Sequence, residues 1–115
     1  MHEVSIALSL LEIIEKKCRE EGYSWVESVK VRIGQASSIL PEALNFAFEM
    51  AKKETIAREA ALLIDLIPVK ALCKTCLHSF EGKNLYIFEC PFCSSSSLQI
   101  ISGHELQLVE MEVKI

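Results

Sequence analysis

The first third of the chain shows two different periods of apolar and polar residues. Over residues 4–22, apolar residues recur every three or four positions, which predicts an amphipathic α-helix that ends at Gly22. Over residues 29–33, Val and Ile alternate with Lys and Arg, which is typical of a strand with one buried face. The chain is therefore expected to begin with a helix followed by a strand.

A second helix and two further strands are predicted beyond that point. Pro41 suits the first position of a helix, where its missing N–H is not needed. The buried stripe of this helix is expected to hold Leu44, Ala47, Phe48 and Ala51, widened by Phe46 and Met50. Residues 60–69 are apolar on both alternating faces, which favours a well-covered, central strand. Residues 105–115 form a last strand with a bulge near Leu108, where the apolar phase switches.

The order of these elements predicts an α+β fold with an insertion. We expect a three-stranded sheet with two helices, built from residues 1–70 and 99–115. Residues 71–98 interrupt this domain and contain four of the five cysteines. Because so short a segment buries little apolar surface, it is expected to need a metal to fold.

The four cysteines of the insertion are spaced for one metal ion. Cys73 and Cys76 form one CxxC pair, and Cys90 and Cys93 form a second. Two such pairs on facing turns complete a tetrahedral set of four sulfurs, so we predict a structural zinc site in a zinc-ribbon-like lobe. A turn over residues 81–84 and a short strand over residues 85–88 are expected within it. Iron bound by the same four sulfurs is an open alternative.

The remaining cysteine and two of the three histidines have simpler interpretations. Cys18 lies on the apolar stripe of the first helix and is expected to be a buried small hydrophobic residue. His78 follows the first CxxC pair and is expected in an exposed loop, with entry into the metal shell as the alternative. His104 is expected at the surface.

Composition restricts the classes of function. The 115 residues are 50% hydrophobic, which suits one packed domain with a small annex. A net charge of −4 argues against nucleic acid. No secretory signal or apolar run of ~20 residues is visible, so a cytoplasmic location without a membrane anchor is expected. Three scattered histidines do not assemble a nucleophile, a base and an orienting partner, so an enzyme is not expected.

The amino terminus has a second set of candidate metal ligands. Methionine removal needs a small second residue, so His2 predicts that Met1 is retained with a free amine. This amine, the deprotonated His2 amide and the His2 imidazole would form one nitrogen chelate, which favours square-planar Ni(II) or Cu(II). Glu3 could add an oxygen ligand or orient the imidazole. The alternative is that His2 is an ordinary solvated residue.

These features, taken in order, resemble the HypA family of nickel chaperones for hydrogenase maturation. The resemblance rests on the paired CxxC motifs together with Met1-His2-Glu3, Ile33-Gly34, Phe46-Ala47-Phe48-Glu49, Gly103-His104-Glu105-Leu106 and Glu112-Val113. It implies that Met1, His2 and Glu3 hold nickel through backbone and imidazole nitrogens, and that Cys73, Cys76, Cys90 and Cys93 hold zinc. It also implies delivery of Ni(II) to the large-subunit precursor of [NiFe]-hydrogenase together with the GTPase HypB, and in some organisms work with urease accessory proteins.

Two rival functions stay open from the sequence. The first is a zinc-ribbon protein-interaction module without a second metal. The second is an iron-based electron carrier that uses the four cysteines.

Overall fold

The computed structural model describes residues 2–82, 87 and 89–114. Two α-helices, six strands and one short 3₁₀ turn lie in this part of the chain. They are α1 (His2–Glu21), β1 (Trp25–Gly34), the 3₁₀ turn (Gln35–Ser37), α2 (Pro41–Ala51), β2 (Ala61–Ile67), β3 (Lys70–Cys73), β4 (Ser79–Glu81), β5 (Leu98–Ser102) and β6 (Leu106–Lys114). The predicted strand over residues 85–88 lies outside the described residues except for Ile87, which is not in a strand.

The first sheet has three strands in the order β2–β1–β6, with both helices packed against it. Strand β1 is parallel to β2 and antiparallel to β6. The core lies between the sheet and the helices. Its fully buried side chains include Ile14, Val26, Val29, Val31, Ile33, Leu44 and Phe48. The predicted α+β fold, with three strands and two helices beside a four-cysteine lobe, is confirmed.

Helix α1 ends where the glycine was expected to end it. Gly22 has a φ of +76°, a left-handed conformation that glycine adopts at little cost. The N–H of Tyr23 then donates to the carbonyl of Cys18 at 3.0 Å, which closes the last turn. Cys18 itself is buried, as predicted.

Strand β6 contains the expected bulge. Lys30 pairs with Glu110 and Val31 pairs with Leu108, so Val109 is the extra residue between two registered pairs. The extra residue returns Leu108 and Met111 to the same side of the sheet, where both pack against the core. The switch in apolar phase along the sequence therefore has a structural cause.

Two details of the core prediction are wrong. Strand β2 is an edge strand and β1 is central. The strand is also covered on one face only, because Leu62 pairs with Val29 on the core side and is buried, whereas Leu63 pairs with Lys30 on the other side and is 49% exposed. On α2, Phe46 and Met50 are 69% and 53% exposed because they lie one turn apart on the face turned away from the sheet. Pro41 does begin α2, and Leu44, Ala47 and Phe48 are its buried residues.

The second sheet is formed by β4, β3 and β5 in that order, and all its pairings are antiparallel. It begins at Lys70 and its last strand ends at Ser102. It therefore includes Lys70 and residues 99–102, which the sequence analysis assigned to the first domain. Strand β3 ends at Cys73, so this sheet positions the first cysteine of the lobe.

Candidate metal centre

The two CxxC segments adopt the same backbone turn. In the first, the N–H of Leu77 donates to the carbonyl of Cys73 and the N–H of Cys73 donates to the carbonyl of His78, both at 2.9 Å. In the second, the N–H of Ser94 donates to the carbonyl of Cys90 at 2.9 Å, and the N–H of Cys90 donates to the carbonyl of Ser95 at 2.8 Å. Each turn therefore holds its two cysteine thiols on the same side of the turn.

The side chains between the turns hold them together. The hydroxyls of Thr75 and Ser95 are 2.9 Å apart and form a hydrogen bond across the lobe. The N–H of Lys74 donates to the carbonyl of Ser97 at 2.9 Å. The sequence did not predict these two contacts, because no periodic pattern relates the residues that make them.

The four sulfurs converge on one point. The Sγ atoms of Cys73 and Cys93 are 3.6 Å apart, as are those of Cys76 and Cys90. All four lie within 4.8 Å of one another, and they form the only such cluster of His, Cys, Asp or Glu among the described residues. Sulfurs at ~2.3 Å from a tetrahedral ion are about 3.8 Å apart, so this arrangement fits zinc with little adjustment. Iron takes the same ligands.

Backbone N–H groups stabilise the buried sulfurs. The N–H of Cys76 lies 3.5 Å from the Sγ of Cys73, and the N–H of Phe92 lies 3.4 Å from the Sγ of Cys90. The Cys76 N–H, together with the Thr75 N–H and the thiols of Cys93 and Cys76, lowers the pKa of Cys73 to about 6, although desolvation opposes them. Cys73 is therefore the thiol that ionises most readily of those with a resolved shift.

The other sulfurs resist ionisation while the first is charged. The N–H of His78 lowers the pKa of Cys76, but desolvation and the sulfurs of Cys90 and Cys73 outweigh it and raise the pKa. For Cys93, the N–H of Ser95 lowers the pKa, but desolvation and the three neighbouring sulfurs raise it to about 12. Because several thiolates at this distance repel one another, the site favours a divalent cation that offsets their charge.

His78 lies beside the sulfur cluster and does not replace a cysteine. Its Nδ1 is 3.3 Å from the Sγ of Cys76, and its ring centroid is 4.9 Å from that of Phe92. Both His78 and Phe92 are exposed. The prediction of an exposed loop histidine is confirmed.

Two of the amino-terminal candidates, His2 and Glu3, belong to the first turn of α1. The helix begins at His2, while Met1 and the His2 side chain lie outside the described part of the molecule. Glu3 is 9% exposed, and its Oε2 accepts the N–H of Leu40 at 3.3 Å. Leu40 is the residue that precedes α2, so this carboxylate joins the beginnings of the two helices. His104 is exposed, as expected.

Over the described residues, neither helix combines the length and the apolar character needed to cross a bilayer.

Comparison with known proteins identifies relatives along the whole chain. A family model described as "Hydrogenase/urease nickel incorporation, metallochaperone, hypA" matches residues 1–113. A hydrogenase maturation factor HypA from Picosynechococcus is 38% identical over 98% of this chain and 99% of its own length. A protein with the same description from Pelodictyon phaeoclathratiforme is 39% identical over 99% of this chain and 97% of its own.

Solved structures share the fold. The solution structure of a HypA protein has a TM-score of 0.74 at 31% identity and covers 98% of this chain and 96% of its own. The solution structure of the Ni metallochaperone HypA from Helicobacter pylori has a TM-score of 0.69 at 29% identity and covers 97% of each chain.

Proposed function

This chain belongs to the HypA family of hydrogenase maturation factors, described as nickel-incorporation metallochaperones, and on that basis we propose that it binds Ni(II) at Met1, His2 and Glu3. It would release this nickel to the large-subunit precursor of [NiFe]-hydrogenase, in cooperation with the GTPase HypB. In an organism that makes urease, urease accessory proteins would be further partners. The observation that carries the proposal is the family match, which includes both the terminal tripeptide and the two CxxC pairs.

The position of His2 supports a chelate that uses a backbone nitrogen. The first four N–H groups of a helix have no acceptor within the helix. Because His2 begins α1, a metal ion can displace its amide proton, which passes to the buffer, without breaking a helical hydrogen bond. The buried Glu3 carboxylate, held by the N–H of Leu40, fixes the helix start next to α2. The chelate would therefore form on an anchored helix end.

The cysteine lobe would have a separate, structural role. We propose that Cys73, Cys76, Cys90 and Cys93 hold zinc, which fits their 3.6 Å sulfur separations. Four sulfur ligands leave no open position for a substrate. We also propose a division into a nickel domain and a zinc domain, with the zinc domain extended from the expected residues 71–98 to include Lys70 and residues 99–102 of the second sheet.

The experiment is a Ni(II) titration of untagged, zinc-loaded protein by calorimetry, with native mass spectrometry to count both metals per chain. An intact mass first establishes that Met1 is present and unmodified. His2→Ala, and separately one alanine added before Met1, should abolish specific nickel binding without loss of zinc. His104→Ala is the matched control, because it removes an exposed imidazole elsewhere and should bind nickel normally.

Three results would contradict the proposal. Unchanged nickel affinity in His2→Ala or in the extended chain would exclude the terminal chelate. Loss of nickel together with zinc in Cys73→Ala would show that the sulfurs are the nickel site. A protein that binds zinc but no nickel would support the alternative of a zinc-ribbon interaction module.

A further inference from the structure

Strand β6 forms an open edge of the first sheet. It pairs with β1 on one side, and none of the other described strands pairs with its outer side. An edge strand presents unpaired N–H and C=O groups to a further strand. The bulge at Val109 interrupts this edge, but residues 110–113 keep antiparallel pairing with β1. A regular stretch of edge is therefore available beyond the bulge.

An apolar groove runs along this edge, between β6 and α1. It consists of two adjoining cavities of about 260 and 330 Å³, which share Ile13 and Leu108. Tyr23, Met111 and Val113 line the larger cavity, and the charged residues Lys17 and Glu110 border it. Ile13 is 51% exposed although its side chain is aliphatic. We call this the β6 groove. It offers space for apolar side chains that arrive from beyond the sheet edge.

The opposite face of the same edge is acidic. Glu110 and Glu112 are exposed, and they lie opposite Lys30 and Ser28 in the register with β1. Lys114 is 2.8 Å from Glu27, so its charge is already paired within the sheet. Lys30 on β1 is positively charged and its partner Glu110 on β6 is negatively charged. A basic residue on a strand added next to β6 would continue this alternation of charge across the sheet.

We propose that β6 accepts an extended segment of another protein, with alternating apolar and basic residues, as a fourth strand of the sheet. Successive side chains of a strand point to opposite faces, so the apolar residues would enter the β6 groove. The basic residues would lie next to Glu110 and Glu112. Main-chain hydrogen bonds to residues 110–114 would supply affinity, and the two rows of side chains would supply specificity.

A second copy of this chain does not fit the same edge. Pairing of two β6 strands would bring the Glu110 and Glu112 carboxylates of both copies close together. Like charges on neighbouring strands destabilise a sheet. The acidic row therefore selects a basic partner and also opposes self-association through this edge. This interface does not depend on the nickel site proposed above.

The test uses zinc-loaded, full-length protein and blocked seven-residue peptides. A peptide of alternating valine and lysine should bind about tenfold more tightly than one of alternating valine and glutamate, since opposite charges on facing strands attract. Binding should shift the ¹H–¹⁵N resonances of residues 110–114 and of Ile13. N-methylation of alternate amides along one edge of the peptide should abolish binding, whereas methylation along the other edge should not, because only one edge faces β6.

Charge reversal provides the matched protein variants. Glu110→Lys/Glu112→Lys should reverse the preference, so that the glutamate peptide binds more tightly. Glu54→Lys/Glu59→Lys changes the net charge equally at exposed sites outside the sheet and should keep the original preference. The proposal is overturned if the two peptides bind equally well or if the two double variants have equal effects. It is also overturned if both methylated peptides bind fully.

Discussion

Leu77 and Ser94 occupy equivalent positions in the two cysteine turns, and both have left-handed backbones, with φ values of 65° and 62°. Each directly follows the second cysteine of its pair, and each donates its N–H to the carbonyl of the first cysteine. A left-handed conformation costs a residue with a Cβ about 1–2 kcal/mol. The two turns therefore share one strained position that glycine would relieve.

Leu77→Gly should stabilise the metal-loaded lobe by about 1 kcal/mol, because glycine adopts a positive φ without the Cβ clash. Leu77 is 72% exposed, so little buried surface is lost with its side chain. The measurement is the denaturant midpoint of the Co(II)-substituted protein, followed by its visible thiolate-to-cobalt absorption.

Leu77→Ala is the control for this prediction. It removes the same exposed side chain but keeps a Cβ, so it should retain the strain and show no comparable gain. Ser94→Gly should stabilise the second turn for the same reason as Leu77→Gly. A lower midpoint for Leu77→Gly than for Leu77→Ala would contradict the account of strain.

The sulfur cluster was predictable from the sequence, but its supporting contacts were not. The number of residues between the cysteines can be counted in the sequence, and this spacing predicted four sulfurs facing one point. The left-handed backbones of Leu77 and Ser94 depend on local φ and ψ, which a leucine and a serine do not indicate. The hydroxyl pair of Thr75 and Ser95 joins residues 20 positions apart, and no periodic pattern relates them.

Gly34 lies where the end of β1 meets the segment between β5 and β6. Its φ of −75° suits any residue, but a Cβ at this position would clash with the backbone of Gly103 and His104. The N–H of Gly34 also donates to the carbonyl of Glu105 at 2.8 Å. Space, and not backbone conformation, therefore requires glycine here.

Gly34→Ala should lower the free energy of unfolding by about 3 kcal/mol, because backbone atoms must move apart to admit the methyl group. Gly22→Ala is the contrasting variant, since its φ is +76° but no atom lies within 4 Å of the added Cβ. It should cost about 1 kcal/mol, from conformation alone. Urea unfolding followed by circular dichroism compares the two, and equal losses would contradict this distinction.

The fold was predicted best where one periodic pattern determines one buried face. The spacing of apolar residues every three or four positions predicted α1, and the phase switch near Leu108 predicted the bulge in β6. The prediction for β2 was wrong because apolar residues on both faces of a strand do not establish that both faces are covered, and Leu63 is 49% exposed. The place of a strand in the sheet depends on the route of the chain. Phe46 and Met50 were wrong because apolar character does not tell which face of α2 meets the sheet.

Metal binding by the cysteine lobe should weaken as the pH falls. A thiol whose pKa lies above the solution pH must lose its proton when the metal binds. Cys73, with a pKa of about 6, is already ionised near neutral pH, whereas Cys76 has a raised pKa and Cys93 one of about 12. At least two protons are therefore released, and affinity should fall by at least about hundredfold per pH unit near neutrality.

The slope should become steeper below pH 6, where Cys73 also takes up a proton. Calorimetric Co(II) titrations in two buffers of different ionisation enthalpy count the released protons directly. An affinity that is independent of pH, or no proton release near neutrality, would contradict the thiol ionisation inferred from the structure.

Glu3 should stabilise the fold even without nickel, because its carboxylate accepts the N–H of Leu40 at the start of α2. Glu3→Ala leaves that donor without this carboxylate and should lower the free energy of unfolding by about 1–3 kcal/mol. Glu3→Gln keeps an oxygen acceptor and should lose less. Val4→Ala is the control, since it truncates a neighbouring, half-exposed residue of the same helix turn. Unfolding is measured in nickel-free buffer, where equal stability of Glu3→Ala and the unmodified chain would contradict the helix-joining role. Glu3→Ala removes a proposed nickel ligand and also a hydrogen bond of the fold, so a loss of nickel binding in this variant would have two explanations. Glu3→Gln separates the two roles, because it removes the carboxylate but keeps an oxygen acceptor for the N–H of Leu40.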